Sequence, residues 1–276
     1  MKNNGIIKIS SPEKIIYPKE KITKLEVINY YIDIAPLMLP FIKKRLLSVI
    51  RCHEGIKGEC FFKKHPTTEK DMVEIFNDEG EEYFFITDIS ELVFQAQMGT
   101  VEFHIWGSSV PQINQPNMMV FDLDPDEKLP LSKLRDAVKK VKSVFDELNL
   151  ESFLKTSGGK GYHIVIPLIC KDWESYNNFA KQIAILIEEK WPKIFTTNIR
   201  KAERKNKIFI DYLRNSKGAT CVAPYSLRAR ENASISMPIF WEDLDKINPN
   251  EINITNYKNY LNNSWKNINK INQKIK

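Results

Sequence analysis

The chain has 276 residues, of which 42% are hydrophobic, 28% are charged and 11% are aromatic. These proportions exclude a disordered chain and a collagen-like repeat, and because no apolar run approaches the about 20 residues of a membrane span, we expect no membrane-spanning segment. The 41 basic side chains exceed the 35 acidic ones and give a net charge of +6, which suits a polyanionic partner but is equally common in ordinary enzymes.

The first part of the chain predicts a helix followed by short strands. Thr23 and Glu26 form a capping box, and apolar residues follow at helical spacing. We expect Pro36 and Pro40 to end or kink this helix. Between residues 45 and 105, the segments LLSVIRC, EEYFFIT and VEFHIW predict strands that are separated by turns containing Gly and Asp.

The middle of the chain alternates strands and helices. NMMVFDLD at 117–124 predicts a buried strand, and a long amphipathic helix follows it. FLKTS and YHIVIPLI predict two strands joined by a glycine turn, after which come a helix that stops before Pro192 and the strand KIFIDYL. Because the glycine turn makes a hairpin, this order favours a mixed α/β (α+β) sandwich with an RRM-like sheet over a doubly wound parallel sheet. The last 26 residues, rich in Asn and Lys, predict a peripheral helix or a fraying tail.

The segment VFDLDPDE carries two acids on one face of a strand. Side chains alternate along a strand, so Asp122 and Asp124 project together while Phe121 and Leu123 face the core. Two carboxylates on one face repel each other unless a cation lies between them, and oxygen ligands suit Mg²⁺ or Mn²⁺. The alternative is an ordinary turn that ends the strand.

The segment KTSGGKGYH at 155–163 lies between two predicted strands. Its glycines allow backbone amides to approach an anion, Lys160 adds a positive charge, and Ser157 and His163 can donate hydrogen bonds. The spacing is not that of a Walker P-loop. The alternative, a mobile hairpin with a solvated lysine, explains the glycines but not the three polar side chains together.

A third acid and two arginines follow. Asp211, inside the apolar strand FIDYL, is either paired with Arg214 or a third metal ligand, because an unpaired buried acid is costly. Arg228 and Arg230 share a face if that segment is extended; they suit a phosphate clamp, although a solvated basic edge is the simpler interpretation of this segment alone. Taken together, the acids, the hairpin and the arginines predict metal-dependent phosphoryl or nucleotidyl transfer.

Four cysteines without a recognisable export signal predict reduced thiols and a cytoplasmic protein. Cys52, His53, Cys60 and His65 could supply four zinc ligands, but their spacing matches no common zinc pattern, so we do not expect a zinc site. The other two cysteines, Cys170 and Cys221, lie in apolar runs that predict core positions.

In FFKKH at 61–65, Phe61 and Phe62 are adjacent, so only one of them can face a core if the segment is a strand. The other could stack on a base of a nucleic acid, with Lys64 on a phosphate, or could lie at a strand edge under a loop.

The segments FDLDPDE, SGGKGYH and FIDYLRN, in this order, resemble the three motifs of the archaeo-eukaryotic primase superfamily. The closer resemblance is to the polymerase domain of bacterial ligase D, which acts in non-homologous end joining. The likeness extends to SPEKIIYP, RCHEGIKGECFFKKH, LVFQAQMGTVEFHIWGS and ATCVAPYSLRAR, and therefore covers nearly the whole chain.

The resemblance implies one primase-polymerase domain over 1–276. Its parts would be an N-terminal β-rich subregion at about 1–115 for DNA end and template contacts, a catalytic core at about 116–245 with an RRM-like sheet, and a peripheral segment at 246–276. The chain shows no ligase or nuclease motif, which would make it a stand-alone form or an excised domain.

The resemblance also implies site residues. Two Mn²⁺ or Mg²⁺ ions would be bound by Asp122, Asp124 and Asp211, and His104 matches an active-site histidine of the family. A ribo- or deoxyribonucleoside triphosphate (NTP or dNTP) would be held by Ser157, Gly158, Gly159, Lys160, His163, Arg228 and Arg230. Lys14 and Lys24 match a pair that binds a 5′-phosphate of DNA, and Phe61, Phe62 and Lys64 would contact the template.

The implied partners are gapped DNA or double-strand break ends, a Ku-like protein and an ATP-dependent DNA ligase, without a membrane. Two rival functions remain open on the sequence. A phosphatase of the haloacid dehalogenase type also places D-x-D at the end of a strand, but this assignment leaves SGGKGYH unexplained. Two positions after the second acid, where those phosphatases usually have Thr or Val, this chain has Asp126. A non-catalytic basic DNA-binding module would leave three acids near a polyanion without a role.

Overall fold

The computed structural model describes residues 8–67 and 70–275. The prediction that the N-terminus carries no export signal rests partly on residues 1–7, which lie outside these ranges. The helices are α1 (Lys24–Ile42), α2 (Ile89–Gln97), α3 (Leu131–Glu147) and α4 (Trp173–Lys190). The strands are β1 (Ile15–Tyr17), β2 (Ile22–Thr23), β3 (Leu47–Cys52), β4 (Cys60–Lys63), β5 (Glu74–Asp78), β6 (Glu81–Phe85), β7 (Thr100–Trp106), β8 (Met119–Pro125), β9 (Phe153–Thr156), β10 (Tyr162–Ile166), β11 (Leu168–Ile169), β12 (Phe195–Thr196), β13 (Ile208–Asp211), β14 (Thr220–Val222), β15 (Pro238–Ile239) and β16 (Gln273–Lys274).

A six-stranded sheet carries the acidic motif at its centre. The strand order is β12-β13-β8-β10-β9-β15, with β12 parallel to β13 and every other neighbouring pair antiparallel. Alternation along β8 buries Phe121 against Phe145 of α3, with ring centroids 5.2 Å apart, and turns Asp122 to the opposite face. The glycine turn joins β9 and β10 as an antiparallel hairpin, so the predicted α+β fold is confirmed.

A second antiparallel sheet has the order β14-β7-β3-β4 and contains the E-x-H-x-W segment in β7. Strand β4 forms one edge of this sheet, since it pairs with β3 alone. A separate hairpin consists of β5 and β6. Side chains from the two larger sheets line one shared cavity.

Helix α1 begins at the predicted capping box, which is present in full. It neither ends at Pro36 nor at Pro40 but continues to Ile42, which corrects the expectation that they end it. A proline inside a helix costs about 3 kcal/mol because it removes a hydrogen bond, and the burial of Met38 and Phe41 in the core offsets that loss.

Helix α1 is also long and apolar enough to cross a membrane by length and composition, contrary to the expectation from the sequence. Half of it is buried inside the protein, as in a core helix.

Three tyrosine hydroxyls tie the beginning of the chain to the segment around the predicted arginines. Tyr17 donates a hydrogen bond to the carbonyl oxygen of Arg228 (2.9 Å), and Tyr30 donates to that of Tyr225 (2.7 Å). Tyr31 accepts from the amide of Leu227 at 3.1 Å. All three tyrosines are buried, so the N-terminal elements and the arginine segment share one core.

The C-terminal segment is neither a helix nor a fraying tail, so that expectation is wrong. It forms short 3₁₀ turns and ends in β16, which pairs in parallel with β11. Trp265 is buried edge-on against Phe41 (centroids 5.4 Å apart) and Phe153 (6.1 Å), and its indole donates to the carbonyl oxygen of Leu154. The prediction for this segment rested on its composition alone, and composition does not show that Trp265 packs into the core.

The prediction that all four cysteines are reduced thiols is wrong for two of them. Cys52 and Cys60 face each other across the β3–β4 pair and form a disulfide, since cysteines opposite one another on antiparallel strands bring their sulfurs together. This bond removes both of them from any zinc site. Cys170 and Cys221 are free and buried, as predicted.

Candidate active site

A cavity of about 510 Å³ opens over the polar face of the central sheet. Its walls are built from both large sheets, the glycine turn and the arginine segment. It is lined by His104, Asp122, Asp124, Pro125, Asp126, Glu127, Ser157, Gly159, Lys160, Gly161, His163, Lys201, Arg204, Arg214, Thr220, Cys221, Val222, Arg228 and Arg230. Most of the residues predicted for the metal and the nucleotide therefore meet in one place.

The three predicted acids come together on adjacent strands. Asp122 of β8 lies opposite Asp211 of β13 on one side and His163 of β10 on the other. Burial raises the pKa of Asp122 to about 6; Arg214 opposes this rise, and the charges of Asp211 and Asp124 add to it. The raised pKa marks negative charge that the surrounding protein does not fully neutralise.

Basic side chains reach each of these acids. Arg214 Nε lies 3.1 Å from Asp211 Oδ2, so the ion pair that was one of the two alternatives for Asp211 is present. Arg204 Nη1 lies 3.6 Å from Asp124 Oδ2, and His163 Nε2 lies 3.4 Å from Asp122 Oδ1. Within residues 8–67 and 70–275, no group of three or more His, Cys, Asp or Glu side chains has the arrangement of a metal centre.

The donor set nonetheless fits a hard divalent cation. It offers carboxylate oxygens only, and the raised pKa of Asp122 shows that added positive charge would stabilise the ionised form. Asp211 faces Arg214 and would have to share its carboxylate with an ion.

The glycine turn is a closed hairpin rather than a mobile loop. The Ser157 hydroxyl accepts hydrogen bonds from the amides of Gly159 (3.0 Å) and Gly161 (3.2 Å). Gly158 has φ +65°, and a Cβ there would lie 2.6 Å from Arg228 Cγ, so only glycine fits. Lys160 is half exposed and pairs with Glu127 at 2.5 Å. The turn thus uses these two amides to close itself and brings Lys160 to the cavity.

A fully paired carboxylate lies behind the opposite wall, which His104 and Arg228 line. Glu102 Oε2 contacts His104 Nε2 at 2.9 Å and Arg228 Nε at 3.0 Å, and its other oxygen accepts from the amide of Ala229 at 2.7 Å. Burial alone would raise the pKa of Glu102, but His104, Arg228 and the amide hold it at about 2. Burial lowers the pKa of His104. Arg228 also donates to the carbonyl oxygen of Ser157, which joins this wall to the glycine turn.

Two residues behind the cavity lining were not predicted from the sequence, Glu102 and Lys155. Glu102 was visible only as part of the E-x-H-x-W segment. Lys155 opens the KTSGGKGYH segment and is paired across the β9–β10 hairpin with His163, which alternation along β9 could have revealed. It is buried, and burial lowers its pKa to about 8, which leaves it protonated at pH 7.

Both predicted template aromatics are on the surface. Phe61 is 38% exposed and Phe62 is 67% exposed, so neither is covered by a core, because β4 is an edge strand. The Phe62 ring centroid lies 5.5 Å from that of His104, which places this ring beside the cavity. Lys64 is exposed next to them.

The two predicted phosphate-binding lysines are neighbours on the β1–β2 side of the molecule. The backbone amide of Lys24 donates to the carbonyl oxygen of Lys14 at 2.7 Å. Lys24 is only 8% exposed and its Nζ donates to the carbonyl oxygen of Ser10, while Lys14 pairs with Glu54 at 2.6 Å. Burial lowers the pKa of Lys24, and the charge of Lys14 lowers it further. Lys24 is therefore a buried lysine with a backbone partner and not a freely solvated one.

Residues 23–267 match the family described as "LigD, primase-polymerase domain". The chain belongs to this family. The multifunctional non-homologous end joining protein LigD of Pseudomonas aeruginosa is 38% identical over 247 residues, which are 87% of this chain and 29% of that protein. The bifunctional non-homologous end joining protein LigD of Bacillus subtilis is 32% identical over 86% of this chain and 39% of its own length. The chain thus spans roughly a third of each of these relatives.

A solved structure, the polymerase domain from Mycobacterium tuberculosis ligase D in complex with DNA, superposes with a TM-score of 0.84 at 26% identity. The match covers 92% of this chain and 95% of that one. The resemblance seen in the sequence and the primase-polymerase fold are therefore confirmed, and family membership identifies a nucleotidyltransferase domain.

Proposed function

We propose that this chain extends the 3′-hydroxyl of a DNA primer with ribo- or deoxyribonucleotides at gaps and broken ends during non-homologous end joining. The observation that carries the proposal is the cavity in which Asp122 and Asp124 face the glycine turn and the arginine segment, with Asp211 paired to Asp122 on the adjacent strand. Nucleotidyl transfer needs this combination, because one wall has to neutralise the reacting oxygens and the other has to hold a polyphosphate.

Asp122, Asp124 and Asp211 would hold two divalent ions, Mn²⁺ or Mg²⁺. When bound, such ions lower the pKa of the attacking hydroxyl and neutralise charge on the transferred phosphate. Arg204 and Arg214 contact two of these carboxylates and would share them with the ions.

The remaining cavity residues would bind the nucleotide. Lys160 and Arg230 line the cavity and would present cationic groups to the triphosphate. His163 and Arg228 are held by contacts with their neighbours and would orient the phosphates. His104 lines the same cavity as Asp122 and Asp124, beside the ring of Phe62, and would contact the reacting end.

DNA would lie along the surface that carries Phe61, Phe62 and Lys64, with the two aromatic rings available for stacking on template bases. The pair Lys14 and Lys24 would receive a 5′-phosphate on the far side of a gap, where Glu54 would give up its contact with Lys14. A Ku-like protein and an ATP-dependent ligase are the partners we propose, in the cytoplasm.

The test of the function is primer extension. The protein is incubated with gapped, labelled DNA, each class of nucleotide and Mn²⁺ or Mg²⁺. We expect nucleotide addition with release of pyrophosphate. Release of phosphate from a small phosphomonoester without any extension would favour the phosphatase alternative, and DNA binding without either reaction would favour the non-catalytic module.

The 5′-phosphate site has its own test. Fluorescence anisotropy should show tighter binding of gapped DNA with a 5′-phosphate than of the same DNA with a 5′-hydroxyl, and salt should weaken the preference. The double variant Lys14→Ala, Lys24→Ala should lose the preference yet extend primers at high DNA concentration. Equal binding of the two DNAs by the unaltered protein would refute the site.

A further inference from the structure

A buried lysine lies directly behind the cavity and has no role in the function proposed above. Lys155 is 1% exposed, and its Nζ lies 3.0 Å from His163 Nδ1 and 2.5 Å from Ser236 Oγ. The Ser236 hydroxyl donates to the carbonyl oxygen of Thr156 at 2.9 Å, so its oxygen accepts from Lys155. Both polar neighbours of the ammonium group are therefore acceptors.

This contact decides where the proton of His163 resides. An ammonium group has donors only, so His163 Nδ1 has to accept, and the single proton of the neutral ring lies on Nε2. Nε2 points toward the cavity wall, 3.4 Å from Asp122 Oδ1. The ring is 3% exposed, which leaves little water to stabilise the other tautomer.

One other group competes for the same nitrogen. Cys221 Sγ lies 3.1 Å from His163 Nδ1, and a thiol is a weak donor compared with an ammonium group. The buried thiol could support the same tautomer but cannot match a charged donor. The test below separates the two.

We propose that Lys155 is a positioning residue that fixes His163 in the Nε2–H tautomer. The ring then directs an N–H donor toward Asp122 and the cavity, where the other tautomer would direct a lone pair. A donor attracts an anionic oxygen and a lone pair repels it, so Lys155 sets the preference of this wall for a phosphate oxygen. That consequence rests on the proposed function, whereas the tautomer does not.

A purely structural role for Lys155 is a poor account of its position. Burying an ammonium group is costly, and an apolar side chain of similar length would fill the same space without that cost. The cost is understandable if the charge is needed to orient a neighbour.

The test is a spectroscopic measurement of the tautomer. The chain has four histidines, so two-bond ¹H–¹⁵N correlation spectra can report each ring, and a His163→Asn variant assigns the signal. Spectra are recorded without nucleotide and metal at pH 7. We expect His163 in the Nε2–H form in the unaltered protein, in Cys221→Ala and in Lys139→Met, the control in which a surface lysine loses its partner Asp245.

In Lys155→Met we expect a substantial population of the Nδ1–H form. An unchanged spectrum in this variant, or loss of the Nε2–H form in Cys221→Ala, would overturn the proposal. An Nδ1–H ring in the unaltered protein would also overturn it, even if Lys155→Met fails to fold. Because these spectra need no catalysis, an inactive chain with the Nε2–H form refutes the proposed function but not the inference.

A binding measurement then tests the consequence. Titration with a nucleoside triphosphate should show about a tenfold weaker affinity for Lys155→Met than for Lys139→Met, as expected for a lost donor to a charged group. Equal affinities for the two variants would show that the tautomer does not contribute to phosphate binding.

Discussion

Two acids on opposite sides of the cavity, the buried Glu102 and the half-buried Asp122, have opposite electrostatics. Burial acts on both, yet the pKa of Glu102 is held at about 2 and that of Asp122 is raised to about 6. Glu102 has an arginine, a histidine and a backbone amide as partners, whereas Asp122 has two further acids beside it. Burial alone therefore does not mark a functional acid. The wall whose negative charge Arg204 and Arg214 offset only in part is the wall that an added cation would stabilise.

The largest expected effect tests the uncompensated wall. Asp122→Asn should lower the rate of nucleotide addition by at least about a thousand-fold, equivalent to about 4 kcal/mol, because the metals lose a central ligand. Without metal, the variant should melt at or above the temperature of the unaltered protein, since one like charge is removed. Mn²⁺ should raise the melting temperature of the unaltered protein only. Extension at an unaltered rate by the variant would remove Asp122 from the metal site.

The next effect concerns the compensated wall. Arg228→Met should lower the free energy of unfolding by about 3 kcal/mol, because Glu102 loses its guanidinium partner while it stays buried. Urea unfolding measures this loss. The double variant with Glu102→Gln should recover most of it, and additive losses in the double-mutant cycle would mean that the pair is not coupled. A weaker nucleotide affinity of Arg228→Met alone is therefore not a clean measure of phosphate binding.

The pH dependence of stability tests whether the partners of Glu102 hold its pKa low. Because the folded pKa of Glu102 lies below the ordinary value of 4.5, its contribution is present above that value and is lost as the pH falls toward about 2. Between pH 5 and pH 3 the unaltered protein should lose about 2 kcal/mol more than Glu102→Gln does. Parallel urea titrations of the two proteins provide the measurement, and identical pH profiles would contradict the assigned pairing.

The smallest expected effect is on nucleotide affinity. Lys160→Ala should raise the KM for nucleotide about tenfold, about 1.4 kcal/mol, with little change in stability, since its ion pair with Glu127 is exposed. Glu127→Ala is the matched control, because it breaks the same ion pair but keeps the lysine. If both variants have the same KM as the unaltered protein, the glycine turn does not hold the phosphates.

The parts of the site that depend on neighbours in sequence could be predicted. The common face of Asp122 and Asp124 follows from alternation along one strand, and the hairpin follows from the glycines between two strands. Arg214, three residues after Asp211, is one of the two partners that the sequence offers for that acid. The compensation of Glu102 could not be predicted, because its partner Arg228 lies 126 residues away. The sequence shows which acids exist, and only the fold shows which of them are neutralised.

The same distinction applies to the fold. The capping box predicts where α1 begins, but the end of α1 depends on packing that outweighs two prolines. The Cys52–Cys60 disulfide and the buried position of Trp265 likewise depend on which strands become neighbours. Edge position in a sheet, which leaves both Phe61 and Phe62 exposed, is a property of topology and not of a five-residue motif.

The tyrosine hydroxyls that hold the arginine segment have a thermodynamic consequence. Tyr17 anchors the carbonyl oxygen of Arg228 from β1, the strand that begins one residue after Lys14. A DNA end that displaced β1 would therefore displace the backbone that presents Arg228 to the nucleotide. Binding of the DNA end and of the nucleotide would then be linked. Linkage is reciprocal, so if the DNA end changes the affinity for the nucleotide by some factor, the nucleotide changes the affinity for the DNA end by the same factor.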